Sequence, residues 1–518
     1  MTDLPRTVAR VLDRALAERP DAVAVVARSG SLTYRELDDA ARRAAGALTS
    51  IGVGVGDRVA ACLPNDLDVV VAFHGAMRIG AIWVGVNAPL APAEKAHLLA
   101  DSGAGVLLTD DAVATQVETV RDGLPALRDV VVVRPSTGVD RWAELLAADE
   151  PAPDVDIDPH APAGIAYTSG TTGLPRGVVH SQHNLLLPGA VLVAERGYDA
   201  GLRKGDCLPL TILNMMVLTT LLTAQAGGCC VVMDRRDAEG IAEWVRTERI
   251  TVWNGVPAQL YDMARGGQVK PDDLSSLTEV WSGGGDCPDS LREAFADAFG
   301  IALRATYGLT EAPTVVAMDP VGTQWVRGAS GRPLPHLLVR ALDEAGEPMP
   351  RGELGELSVS AAEDGPWAGT WTPMLGEWRD GAVVAGPSGP LRTGDLGTID
   401  SDGWLSVRDR RKLVVVRGGA NVYPAEVERV LLTLPGVESA AVFGVPDDRL
   451  GERVAALVQP AAGSELSIEV LIEGCRAELA KYKVPDRWGV VPALPRNAMG
   501  KVIRPALPAL LKEHAVDG

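Results

Sequence analysis

Ile250-Thr-Val-Trp-Asn-Gly-Val-Pro257 is a short run of β-branched and aromatic residues that stops at a glycine and a proline, and the pattern recurs twice downstream. Glu279-Val-Trp-Ser282 stops at Gly283-Gly-Gly285, and Ala302 to Thr306 runs into Tyr307-Gly-Leu-Thr-Glu311. Helical patterns over 238–249, 259–264 and 288–299 separate these runs. Apolar strands alternating with helices specify parallel strands joined by crossover helices, whose carboxyl ends line a ligand crevice. The fold class read from this stretch is α/β, and Trp253, Gly283 to Gly285 and Tyr307 to Glu311 are expected to converge.

Outward from that stretch the alternation continues. Upstream, Thr33 and Glu36 form a capping box that starts a helical pattern running to Leu48, Asp57 to Leu63 reads as a buried strand, and Asp66 to Ile79 as a helix. Thr211 to Met233 is the most apolar long stretch, yet it holds Asn214, Gln225, Gly227 and Gly228, so a buried helix running into a strand is expected rather than a membrane span. Downstream, Gly, Pro and Trp accumulate between Trp371 and Leu391, which reads as a surface connection. Trp404 to Val407 and Leu413 to Val416 then read as strands and Ala425 to Leu432 as a helix. A chain of 518 residues exceeds what one core supports. The boundary falls near Asp409 to Lys412, giving residues 1–409 and 410–518.

An apolar fraction of 47% with 23% charged residues is that of a soluble globular protein. A net charge of −19 argues against nucleic acid as a partner, because phosphate backbones call for a basic surface. Six cysteines without C-x-x-C spacing suit a reducing cytoplasm, and no apolar run follows a basic start at Met1, so a cytoplasmic location is expected.

Tyr167-Thr-Ser-Gly-Thr-Thr-Gly-Leu-Pro-Arg-Gly177 concentrates hydroxyls and glycines in one turn-forming run behind the strand-like Ile165-Ala-Tyr167. Glycines let backbone amides converge on an anion, Thr168, Ser169, Thr171 and Thr172 add hydroxyl donors, and Arg176 adds a permanent charge. The spacing is not that of the Walker loop. The order of residues resembles the phosphate loop of the adenylate-forming superfamily, which includes acyl-CoA synthetases, luciferases and nonribosomal peptide synthetase adenylation domains. Where that family usually carries lysine this chain has Arg176, which keeps the charge in a planar fork.

The resemblance implies a large N-terminal adenylate-forming domain of layered α/β subdomains plus a small mobile α+β C-terminal domain that carries the catalytic lysine. It implies ATP or AMP contacts from Thr168, Ser169, Gly170, Thr171, Thr172, Gly173, Gly283, Gly284, Gly285, Tyr307, Gly308 and Thr310. In the family element resembling Tyr307 to Glu311, the aromatic ring stacks on adenine, the threonine meets the α-phosphate and the glutamate binds Mg²⁺. Thr393-Gly-Asp-Leu-Gly397 resembles the segment whose aspartate, here Asp395, takes the ribose hydroxyls. The match over Asp409 to Glu428 implies Arg410 as a ribose contact, Lys412 as the hinge and Gly418-Gly419 as the path of the pantetheine arm, with Leu413 and Ala420 standing where relatives often have acids. Pro495-Arg-Asn-Ala-Met-Gly-Lys501 resembles the element that delivers the catalytic lysine, so Lys501, Thr310 and Arg176 are the expected catalytic groups.

Adenylation domains for amino acids typically carry an aspartate where this chain has Leu208 to Asn214, a stretch with no acid. An ammonium would go unpaired there, so the expected substrate is a carboxylic acid without an α-amino group, medium-chain or cyclic, in a pocket of Ile212, Trp253, Asn254, Gly284 and Gly308. The expected activity is an AMP-forming acid–thiol ligase that uses ATP, Mg²⁺ and coenzyme A. A separate carrier protein or another nucleophile as acceptor, another oxyacid as substrate, and a homodimer stay open. A nucleotide-binding scaffold without turnover is the reading of another class; Arg176, Leu413 and Ala420 favour it, while Glu311, Asp395, Arg410 and Lys501 oppose it.

Overall fold

The computed structural model describes residues 5–516, except 169–174, 286, 387, 418–419, 448 and 498–499. Local signals decide the first elements. Thr33 Oγ1 accepts from the Glu36 amide at 3.2 Å and the Glu36 carboxylate takes the Thr33 amide at 2.8 Å, which starts helix Tyr34–Ser50. Asp66 caps helix Leu67–Arg78 by accepting from the Leu67 amide at 2.7 Å, and the two helices lie so close that a Cβ on Gly75 would stand 2.6 Å from that of Ala44.

Among the described residues the strands form sheets of nine, eight, four and six members. The nine-stranded sheet contains Arg203–Asp206, Cys229–Val232, Val252–Gly255, Glu279–Ser282 and the first half of Leu303–Leu309 in parallel register. The helices between them, Ala238–Glu248, Pro257–Arg265 and Asp289–Phe299, cover one face with a core that includes Ile241, Leu260 and Phe295. The eight-stranded sheet runs parallel through Arg58–Cys62, Ile82–Gly85, Val106–Thr109 and Asp129–Val132, and then turns antiparallel at Pro162–Thr168 and Arg176–Ser181. The main hydrophobic core includes Leu48, Phe73, Trp83 and Met216.

One sequence expectation needs correction. The Gly-, Pro- and Trp-rich stretch read as a surface connection contains a hairpin, Gly376–Arg379 and Ala382–Val384, which extends the eight-stranded sheet beside Arg176–Ser181. Trp378 anchors it, 6% exposed, with its indole N–H donating to the Asp101 carbonyl at 2.9 Å. An indole that fills a core position and satisfies its own donor outweighs the local turn signals.

The antiparallel four-stranded sheet ends with Leu405–Arg410, and a 3₁₀ turn, Arg411–Leu413, leads to Val415–Arg417 in the C-terminal sheet. Helices Pro424–Thr433 and Ile468–Glu478 bury Val427, Leu431 and Leu471 against that sheet.

Candidate active site

The site begins where one strand changes partners. Leu303–Leu309 pairs parallel with Glu279–Ser282 up to Ala305, and from Thr306 it pairs antiparallel with Thr314–Met318, with a register shift between Tyr307 and Gly308. A Cβ at Gly308 would fall 1.9 Å from the Thr314 carbonyl oxygen, so the shift requires glycine. This break aims Tyr307 across the crevice, where its hydroxyl donates to Asp395 Oδ2 at 2.7 Å. Asp395 and Arg410 are cross-strand partners in the four-stranded sheet, and Arg410 Nε lies 3.2 Å from Asp395 Oδ1. Burial pushes the Asp395 carboxyl above its ordinary value, while Tyr307, Arg410 and Lys501 pull it back.

Lys501 enters from the C-terminal part on a tight turn. Its amide donates to Asn497 Oδ1 at 3.0 Å, its carbonyl accepts from the Asn497 amide at 2.8 Å, and Arg496 Nη1 holds the Gly500 carbonyl at 2.7 Å. A Cβ on Gly500 would sit 3.6 Å from Val256, just ahead of helix Pro257–Arg265, so the turn abuts the crevice. Surrounding protein pushes the Lys501 ammonium below the usual lysine range and the Arg410 cation pushes it further, with Asp395 and Glu311 opposing both. The structure therefore brings Tyr307, Asp395, Arg410, Glu311 and Lys501 into one electrostatic field. Among the described residues the Glu311 carboxylate takes no hydrogen bond or ion pair, whereas the Glu311 carbonyl accepts from the Met374 amide at 3.0 Å.

The phosphate-loop expectation rests on a hairpin. Thr168 and Arg176 pair directly across Pro162–Thr168 and Arg176–Ser181, and Ser169, Gly170, Thr171, Thr172 and Gly173 lie outside the described residues, as do Gly418 and Gly419. Arg176, half exposed, ion-pairs with Glu377 at 2.8 Å. Glu377 comes from the hairpin that sequence reasoning missed. Thr310 follows Leu303–Leu309 in the turn that leads to Glu311, and Lys412 sits in the turn Arg411–Leu413 between the two sheets.

On the other side of the crevice, Gly283 to Gly285 follow the end of Glu279–Ser282. Gly283 packs so tightly that a Cβ would stand 2.6 Å from Thr306 Oγ1 and 3.5 Å from Asn254 Oδ1, and Gly284 takes a φ of 77°. Asn254 Oδ1 thus faces Gly283. Trp253 does not join them: neighbouring strand residues point to opposite faces, and Trp253 is fully buried in the core that holds Met233, Ile241 and Leu260. Ile212, partly buried, leads into the short helix Leu213–Met215 and packs on the main core. Sequence reasoning also missed Asp206, a fully buried acid at the end of strand Arg203–Asp206, beside the apolar stretch read as free of acids. An acid at a strand end reads as a turn residue, so only its burial reveals it.

Two mixed sheets followed by a small C-terminal unit that returns a lysine to their crevice are the architecture of adenylate-forming enzymes. The chain belongs to the AMP-binding enzyme family: residues 12–363 match that family and residues 426–501 match the AMP-binding enzyme C-terminal domain. It is 35% identical to a feruloyl-CoA synthase from an Amycolatopsis species over 94% of this chain and 95% of that protein. It is 33% identical to the long-chain-fatty-acid–CoA ligase FadD13 of Mycobacterium tuberculosis over 92% of each chain. Its fold matches the crystal structure of the anthranilate CoA ligase AuaEII in complex with anthranoyl-AMP, with a TM-score of 0.87, 25% identity, and coverage of 98% of this chain and 97% of that one. Among the described residues no helix is long and apolar enough to cross a membrane.

Proposed function

We propose that the protein is an ATP-dependent acyl-CoA ligase for a carboxylic acid without an α-amino group. The observation that carries the reading is the convergence of Lys501, from the C-terminal part, with Asp395, Arg410 and Glu311 of the N-terminal part. Asp395, held between Tyr307 and Arg410, offers carboxylate oxygens to the two ribose hydroxyls. A carboxylate oxygen of the acid attacks the α-phosphorus and the bond to pyrophosphate breaks. The Lys501 ammonium, Arg176 and Thr310 meet the charge that develops there. Glu311, whose carboxylate is unengaged among the described residues, would offer an oxygen ligand to Mg²⁺, and that cation would neutralise phosphate charge.

In the second half-reaction the C-terminal part turns about Lys412, withdraws Lys501 and brings Gly418-Gly419 to the crevice. The coenzyme A thiolate then attacks the acyl carbonyl and AMP leaves. Lysine suits this exchange because it is a compact charge on a flexible stem.

The test is mass spectrometry of products after incubation with ATP, Mg²⁺ and a library of carboxylic acids, with and without coenzyme A. Acyl-CoA products are expected. Adenylates that persist beside coenzyme A would move the acceptor to a carrier protein or another nucleophile, and an absence of ATP consumption across the library would count against the ligase reading.

A further inference from the structure

Lys204 and Asp206 project from one face of the strand Arg203–Asp206, at positions where an interior parallel strand ordinarily carries apolar side chains. Both are fully buried, with Lys204 Nζ 3.8 Å from Asp206 Oδ2. The ammonium lies 4.6 Å from the centre of the Trp281 ring and, among the described residues, makes no hydrogen bond. Among the described residues its ion-pair partner is Asp206, with Glu279 adding a weaker attraction.

The Asp206 carboxylate is also fixed from other directions. It accepts from the Leu208 amide at 2.9 Å and from Thr219 Oγ1 at 3.2 Å, and Asn254, next along the paired strand Val252–Gly255, lies beside it and favours its ionised form. Thr219 belongs to a π-helical turn, Met216–Leu221, an element that costs regular helix geometry and concentrates at functional sites. Burial pushes the Asp206 carboxyl up and the Lys204 ammonium down, while their mutual attraction and the donors on Asp206 oppose both shifts; an ionised Asp206 has only acceptors, so the Asn254 amide turns its N–H₂ toward it. Its carbonyl oxygen then faces Gly283, where Oδ1 stands 3.5 Å from the place of an added Cβ.

We propose that the buried Lys204–Asp206 pair is a positioning device that fixes the Asn254 carbonyl toward the crevice, so that the enzyme selects acids bearing a hydrogen-bond donor, a hydroxyl or an N–H, over hydrocarbon acids of the same shape. The inference rests on the ligase reading above. It names Asn254 as the contact and Lys204 and Asp206 as residues that act through it. Without the Lys204 cation the carboxyl keeps its proton, donates to Asn254 and turns the amide nitrogen to the crevice.

The experiment compares kcat/KM for thioester formation within matched pairs: 4-hydroxycinnamate and cinnamate, 4-hydroxybenzoate and benzoate, and 8-hydroxyoctanoate and octanoate. In the unaltered enzyme the donor-bearing member of the best-used pair is expected to lead by about tenfold or more. Asn254→Leu should abolish the lead. The near-isosteric Asp206→Asn, and Lys204→Met, should each shrink it by at least about threefold while leaving KM for ATP within about twofold. No lead in any pair, or an equal loss for both members in Asp206→Asn, would overturn the proposal. Should the ligase reading fail instead, no acid gives adenylate or thioester. The preference is then read from thermal shifts: a larger rise in Tm with the donor-bearing acids upholds it and equal rises overturn it.

Discussion

The proposed nucleotide half of the crevice is assembled across element boundaries, whereas the proposed acid half lies on one face of one sheet. Tyr307, Asp395, Arg410 and Lys501 come from a strand break, two strands of a second sheet and a turn of the C-terminal part, and they meet through a phenol hydrogen bond and opposed charges. Asn254, Asp206 and Lys204 stand on adjacent strands of the nine-stranded sheet, buried among apolar neighbours. The difference follows from the ligands. Ribose and phosphate demand charges and donors at fixed places, which loops and edges supply in short polar runs. An acid's body demands a shaped cavity, which strand faces supply one residue at a time.

If charge from a separate unit drives the first half-reaction, Lys501→Ala should produce the largest effect. Pyrophosphate release should fall by about a thousandfold or more, while thioester formation from preformed adenylate falls far less. Equal losses in both half-reactions would dissolve the division of labour. Next in size, Asp395→Ala removes the acceptor that Tyr307 and Arg410 hold in place. KM for ATP should rise by about a hundredfold, with the order of preference among acids unchanged. A reshuffled acid preference would mean that the two halves are not separate.

The same contrast explains what the sequence disclosed. Helix Tyr34–Ser50 was legible because its capping box is local, and the parallel strands because their breaks are. Tyr307, Asp395, Arg410 and Lys501 were legible through the resemblance of their segments to the family's motifs, and the structure puts them together. Trp253 and Asn254 were not separable. Alternation says that they face opposite ways, but not which way the crevice lies. The hairpin Gly376–Arg379 and Ala382–Val384 was hidden under glycines and prolines, and with it Glu377, the partner of Arg176. Trp253→Phe sharpens the point. It should lower stability by about 1–2 kcal/mol in denaturant unfolding, as a core truncation does, and leave acid preference as it was. A changed preference would return Trp253 to the pocket wall.

The smallest effect expected is a displacement along the pH axis, and it reads the nucleotide half directly. In the proposed roles Lys501 must be charged to meet phosphate, and burial and the Arg410 cation push its pKa below the ordinary lysine value. Adenylation should therefore fail on the alkaline side as pH rises through that lowered pKa. Asp395 must be ionised to take the ribose hydroxyls, and burial holds its pKa above the ordinary aspartate value, so binding should fail as pH falls through that raised one. Arg410 lowers both groups. Arg410→Gln should consequently move the acidic and the alkaline limbs of the pyrophosphate-release profile upward together, changing the rate at a fixed alkaline pH only by about a few-fold. A profile that loses height without moving would show Arg410 to be a ribose contact alone, with no hold on the charge of Lys501.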